Sequence, residues 1–194
     1  MTNAVYFIII AIVAVIVITL ATKTNMLRDV SEESKLTENA LKANIKDPKA
    51  PFSLARSQFA FWTVIIFSSF VYILFKQKFT IPEINNVNLI LLGIVVSTSA
   101  SAKLIDNSQK NNGDLSQDNP SEGFLTDILS DKKGVSVHRL QNVLWTIAVG
   151  IIYIQYVASE SNLPDNTVIS DNLLLLMGIS TGAYLGIKTT ENSN

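Results

Sequence analysis

Apolar residues fall in five long blocks along this chain, at 4–21, 59–75, 87–102, 143–158 and 173–187. The blocks are nearly continuous, not alternating: after Tyr6, the first holds a single polar residue, Thr19. A membrane-spanning helix takes about 20 predominantly apolar residues, with a range of roughly 17 to 25. The shorter blocks reach that length by including flanking Ser, Asn or Gln. The pattern therefore predicts five membrane-spanning helices, of which 87–102 is the most polar because of its serines.

The segments between the blocks carry their own signals. Residues 31–46 have helix-forming composition, with Glu38 four positions before Lys42. Leu36, Ala40, Leu41 and Ile45 give that helix a narrow apolar stripe. Pro48 and Pro51 end it, because each pushes the preceding residue out of helical geometry. Residues 107–121 are rich in Asn, Ser, Asp and Gly, a composition too polar to bury a core, and read as a linker. Beyond it, Phe124, Leu125, Ile128 and Leu129 share one face of a short helix, with Asp127, Asp131, Lys132 and Lys133 opposite. Gly134 is expected to end that helix, which lies on headgroups or packs on protein.

An eleven-residue pattern, S-x-x-R-x-Q-x-x-x-W-T, occurs twice. One copy holds Ser53, Arg56, Gln58, Trp62 and Thr63; the other holds Ser136, Arg139, Gln141, Trp145 and Thr146. Each opens an apolar block, and each is followed by a second block with Gly, Lys and an acid at matching spacing. These are Gly93, Lys103 and Asp106 in one copy, and Gly178, Lys188 and Glu191 in the other. The expected fold is thus all-α: a polytopic helical membrane protein with one N-terminal anchor helix and two tandem transmembrane hairpins related as parallel repeats. Its divisions are an anchor at 1–22, a loop with a short helix at 23–52, a first hairpin at 53–106, a linker and surface helix at 107–135, and a second hairpin at 136–194.

Composition supports this picture. The chain is 48% hydrophobic and 16% charged, against about a quarter charged in soluble proteins. The net charge of −1 carries little information, whereas its distribution orients the chain. Lys23, Arg28, Lys35, Lys42, Lys46, Lys49 and Arg56 follow the first block. Lys103, Lys110, Lys132, Lys133 and Arg139 lie between the hairpins, and Lys188 lies after the last block. Only Lys76 and Lys78 fall on the other side. The positive-inside rule then puts the large loops and the C-terminus in the cytoplasm and the N-terminus outside, as an odd number of spans requires. No lysine or arginine precedes the first block, and Thr19-Leu20-Ala21 is a poor cleavage site, so an uncleaved anchor is expected.

Ser53 and Ser136 stand at N-cap positions, which puts Arg56 and Arg139 in the first turns of their helices. A cation there opposes the helix dipole at about 0.3 to 1 kcal/mol. Two roles fit these arginines. They can hold that end in the cytoplasm against lipid phosphates, or pair across each hairpin, Arg56 with Asp106 and Arg139 with Glu191. Trp62 and Trp145 are expected in the aromatic belt at the interface. Gly93, Ser97 and Ser101, like Gly178, Gly182 and Gly186, recur every fourth residue, the spacing of close helix packing. With Thr98 and Ser99, the first of these stretches is also a candidate pore-facing surface.

Catalytic chemistry finds little support. Gly178, Ser180 and Gly182 match the hydrolase nucleophile elbow, but the single histidine, His138, precedes the fourth span. Ser180 lies eight residues before Lys188, about 12 Å into the membrane at 1.5 Å per residue. No cysteine is present, and the carboxylates lack calcium-loop spacing, so neither a cofactor, a metal centre nor an enzyme is expected. The loop lysines are explained by topology and do not call for a nucleic acid.

The phrases SLARSQFAFWTV with LILLGIVVSTSASAKLID, and GFLTDILSDKKGVSVHRLQNVLWTI with LLLLMGISTGAYLGIK, resemble an uncharacterised bacterial inner-membrane family over residues 53–188. That resemblance implies a duplicated membrane module in the bacterial inner membrane and no particular activity. Two roles are expected from the residues. One is a homo-oligomeric pore or channel-like assembly in the lipid bilayer. The other is a non-conducting anchor or scaffold that recruits a soluble cytoplasmic protein partner, in a stress or phage-defence setting. A topology reporter fused after Asn194 or within 107–121 should report cytoplasm, and one within 159–171 the outside; an external linker would overturn the five-span reading.

Overall fold

The computed structural model describes residues 3–29, 31, 33–91, 119–131 and 134–177. They are mostly helical. Three long helices dominate: α1 (Asn3–Lys23), α3 (Leu54–Lys76) and α5 (Val137–Glu160), of 21, 23 and 24 residues. Each is long and apolar enough to cross a membrane. Smaller elements are α2 (Glu33–Lys42), α4 (Phe124–Leu129) and an antiparallel pair, β1 (Ser130–Asp131) with β2 (Gly134–Val135). Residues 86–91 and 171–177 are also helical. The expected spans at 87–102 and 173–187 lie largely outside the described residues, and with them the closure of both hairpins.

Contacts fix the direction of each long helix. Tyr6, near the start of α1, bonds Ser69 near the end of α3 at 2.7 Å, so these two helices run antiparallel. Gln58 and Asn142, each early in its helix, are 3.0 Å apart, and Lys76 meets Ser161 where α3 and α5 end. Those two helices therefore run parallel. One end of the bundle gathers the start of α3, the start of α5 and the described residues of segments 24–53 and 119–136. It also carries Lys23, Arg28, Arg56 and Arg139, and is called the basic end below.

Both copies of the repeated pattern open a helix at the same place. Ser53 and Ser136 have extended backbones (φ −84°, ψ 124° and φ −95°, ψ 125°) and occupy the N-cap positions. Neither hydroxyl makes the capping bond that the sequence suggests. The entry to α3 is held by backbone instead: Ser53 N–H donates to Leu27 O at 2.8 Å, and Asp29 N–H to Pro51 O at 2.9 Å. A short bridge between Arg28 and Phe52 lies between these two bonds.

The core contains Tyr6, Trp62, Tyr72 and Tyr153 with aliphatic residues such as Ile65 and Val149. The outward faces of the long helices are also apolar: Ile8, Ile12 and Val15 on α1, Phe67 on α3, and Leu144 and Ile151 on α5 are exposed. A soluble bundle would place charge there; these faces suit lipid.

Two expectations are corrected in the smaller elements. Helix α4 ends at Leu129, not at Gly134, because the chain turns into β1 and β2; Gly134 is needed in that pair, where φ is +109°. Ile128 of α4 is buried against Leu54 and Ala55, so this helix packs on protein. In α2, Leu36 and Ala40 are buried but Leu41 faces out, so half of the expected stripe is used. The Glu38–Lys42 pair forms at 2.7 Å, and the ammonium's hydrogen bond holds the Glu38 carboxyl below its usual range.

Close approach of α3 to α5 depends on Gly150. A Cβ there would lie 2.6 Å from Phe61 Cζ and 2.8 Å from Cε1. Gly150→Leu should therefore lower stability by about 1 to 3 kcal/mol, the usual cost of overpacking. Thermal unfolding in detergent would measure it, and adding Phe61→Ala should recover part of the loss. An unchanged midpoint for Gly150→Leu would contradict this contact.

Candidate functional site

A bilayer supplies no water, so polar groups within a span must find partners inside the protein. Gln58 Nε2 on α3 donates to Asn142 Oδ1 at 3.0 Å and to Thr146 Oγ1 at 2.7 Å, both on α5. Thr146 can accept because its own proton goes to Asn142 O at 2.9 Å. Ser69 likewise gives its proton to Ile65 O at 2.7 Å, which makes Tyr6 the donor in the Tyr6–Ser69 bond. Deeper toward the opposite end, Tyr153 donates to Asn88 Oδ1 at 2.6 Å. Asn88 Nδ2 donates to Asn85 Oδ1, and Asn85 Nδ2 to Pro164 O, each at 2.7 Å. That chain of bonds ties α5 to the two loops at this end. In the loop after α5, Asp165 accepts from Thr167 N–H at 2.9 Å and from its hydroxyl at 2.5 Å, and these bonds hold its carboxyl below the usual range.

The basic end carries an ordered cap. Asp127 of α4 accepts from Phe52 N–H at 3.0 Å, Ser121 Oγ at 2.5 Å and Glu122 N–H at 2.9 Å. Its carboxylate thus joins the entry of α3 to the segment that leads into α4. Ser121 N–H donates to Lys49 O at 2.9 Å, and Asn39 Nδ2 of α2 to Asn119 Oδ1 at 3.3 Å. The Arg28 guanidinium donates to Ala50 O and stacks 4.2 Å from the Phe52 ring centroid. Phe52 in turn meets Phe124 edge-on at 5.2 Å. Segments 70 to 90 residues apart in sequence are therefore locked into one platform. Leu41 and Leu125 stand out from it, 75% and 67% exposed.

The candidate site residues fare unevenly. Arg56 is half-buried and Arg139 is 4% exposed, both at the basic end. Their expected partners Asp106 and Glu191 lie outside the described residues, as do Gly93, Ser97, Thr98, Ser99, Ser101, Gly178, Gly182 and Gly186. Trp62 is corrected: it is 1% exposed and packs edge-on to Tyr153 at 6.2 Å, a core residue instead of a belt residue. It lies on the face that α3 turns to α5, which no lipid reaches. Trp145 is half-buried and packs against the same core.

The organising residues Tyr6, Asn88, Asp127 and Tyr153 were not singled out from the sequence. Asn85 and Asn88, three apart at the head of an apolar block, were the available signal for the interior network. Among the described residues, no three His, Asp or Glu side chains stand together as metal ligands. A cavity of about 350 Å³ opens beside α3, walled by Thr63, Ile66, Phe67, Phe70, Ile84 and Asn88 with Leu163. Comparison with protein-family models, curated proteins and solved structures gave no match.

A hydrogen bond to a charged group contributes about 1.5 to 3 kcal/mol, and Asp127 accepts three. Asp127→Ala should therefore raise protease cleavage within 119–124 by roughly ten-fold or more, since 1.4 kcal/mol is a factor of ten. Helices α1, α3 and α5 should stay protected. Equal protection of 119–124 in wild type and variant would show that Asp127 does not hold the cap.

Proposed function

We propose that this protein is a non-conducting membrane anchor whose cap on the cytoplasmic side presents a docking platform to a soluble partner. One observation carries the reading: Asp127 gathers three donors and fixes α4 and the 119–124 segment onto the entry of α3. Loops that served only to join spans would gain nothing from being clamped in this way. The ordering of such a platform before any encounter lowers the entropy lost on binding. Exposed Leu41 and Leu125 supply apolar contact, and the lysines of α2 and its neighbours supply charge.

The charge asymmetry supports a cytoplasmic basic end, and the resemblance over residues 53–188 supports placement in the bacterial inner membrane. The interior supports a non-conducting role over a pore in a single chain. Gln58 bonds Thr146, and Tyr153 bonds Asn88, across the bundle instead of lining a wet path. The hydroxyl-rich stretch 97–101, on which a pore reading rests, lies outside the described residues.

Two measurements test this. Purified protein of confirmed assembly state, reconstituted into liposomes, should give no ion flux above empty vesicles. A photo-crosslinking residue at Leu41 or Leu125 should trap a discrete soluble protein in intact cells, with the yield falling several-fold in Asp127→Ala. Steady flux from the wild-type protein would overturn the anchor in favour of a pore.

A further inference from the structure

The contact between α3 and α5 is one-sided in a way that a second copy of the chain would complete. The hydrogen bonds joining these helices link residues 84 to 88 positions apart, at both ends. The repeated pattern recurs every 83 positions, Ser53 to Ser136. Helices α3 and α5 are thus related by a turn about the bundle direction with an axial slip of one to five residues, under about 8 Å. A two-fold pair would make each contact twice, and this pair makes it once. Gln58 bonds Thr146, but its counterpart Gln141 is exposed and bonds no described residue, and Thr63, the counterpart of Thr146, is exposed as well. Thr63 is prepared in the same way as Thr146: its hydroxyl proton goes to Phe59 O at 2.8 Å, which leaves the oxygen free to accept.

The rest of the two faces matches. Phe61 sits over Gly150 within the chain. The counterparts are Leu144 and Phe67, which are 57% and 55% exposed. At the other end Lys76 and Gln77 meet Ser161. The counterparts of Gln77 and Ser161 are Glu160 and Lys78, both exposed and of opposite charge. The cavity beside α3 lies between this same face, with Thr63, Phe67 and Phe70, and Ile84, Asn88 and Leu163 of the same chain.

We propose that copies of this chain associate head to tail, the outer face of α5 in one copy packing on the outer face of α3 in the next. Gln141 donates to Thr63, Leu144 packs on Phe67, and Glu160 pairs with Lys78. Lipid offers no hydrophobic drive for this contact; close packing and polar pairing across helices supply it. Because the two faces differ, the contact is heterologous, and each added copy leaves one α3 face and one α5 face open until a ring closes. The inference rests on the membrane reading of α3 and α5 and is independent of any cytoplasmic partner.

Absence of native cysteine makes the test direct. Two differently tagged copies, one Leu144→Cys and one Phe67→Cys, are expressed together, and their membranes are oxidised. A disulfide-linked pair carrying both tags should form at least five-fold more efficiently than any dimer from either variant alone. Glu160→Lys in the first copy should cut that yield about five-fold, and Lys78→Glu in the second should restore it. A chain carrying Lys76→Cys and Ser161→Cys reports the fold through an intrachain bridge made with a short bis-maleimide, because the lysine's reach in this contact exceeds that of a disulfide. That bridge without any mixed dimer would overturn the proposal while the anchor reading stands. Predominant 144–144 or 67–67 dimers would overturn it in favour of a two-fold contact.

Discussion

Gln58 on α3 reaches across to Thr146 and Asn142 on α5, and one end-to-end length of helix away Lys76 and Gln77 reach Ser161. These bonds hold two parallel helices side by side. Outside a membrane such bonds would add little, because water competes for every donor. Within one, helices gain nothing from the hydrophobic effect by touching, so packing and internal polar pairing decide which faces meet. Gly150 admits the Phe61 ring and brings the backbones close enough for those bonds to form. Trp62 and Tyr153 then meet edge-on between the helices, an arrangement that aromatic rings prefer.

The remaining parts are built on that pair. Helix α1 is apolar on all sides and cannot choose a partner by amphipathicity. It is oriented by a polar contact, Tyr6 to Ser69, reinforced by stacking of Tyr6 on Tyr72 at 4.9 Å. At the basic end, the starts of α3 and α5 supply the floor on which Ile128 rests beside Leu54 and Ala55. At the opposite end, the Tyr153–Asn88–Asn85–Pro164 chain draws both loops over the ends of the helices. The same physical rule therefore operates at three depths: a polar side chain inside the bundle is placed where it names a specific neighbour.

The proposed anchor and the proposed self-association use different surfaces. The cap projects from the basic end, while the open faces of α3 and α5 run along the span. A clamped cap repeated around an assembly would present its docking platform several times at fixed spacing, and multivalent binding raises the avidity for a partner that is itself multimeric.

Much of this was legible in the chain. Block length and hydropathy identify α1, α3 and α5, since a span must be about as long as the bilayer core is thick. The repeated S-x-x-R-x-Q-x-x-x-W-T pattern marks where α3 and α5 begin, and the Glu38–Lys42 spacing marks α2. Facing was not legible. Apolar residues cover every side of these helices, so periodicity cannot separate a lipid-facing position from a core one, and Trp62 was assigned to the interface although it is buried. Nor was it legible that Ser53 and Ser136 would leave their caps unmade, because backbone pairing with 27–29 holds the α3 entry and a bond from Ser136 N–H to Leu129 O holds that of α5. Asp127 reads as one more surface acid until the fold brings Phe52, 75 residues away, to its carboxylate. Local chemistry can be read from neighbours in sequence, but choosing which helix face meets which depends on contacts between residues far apart in the chain.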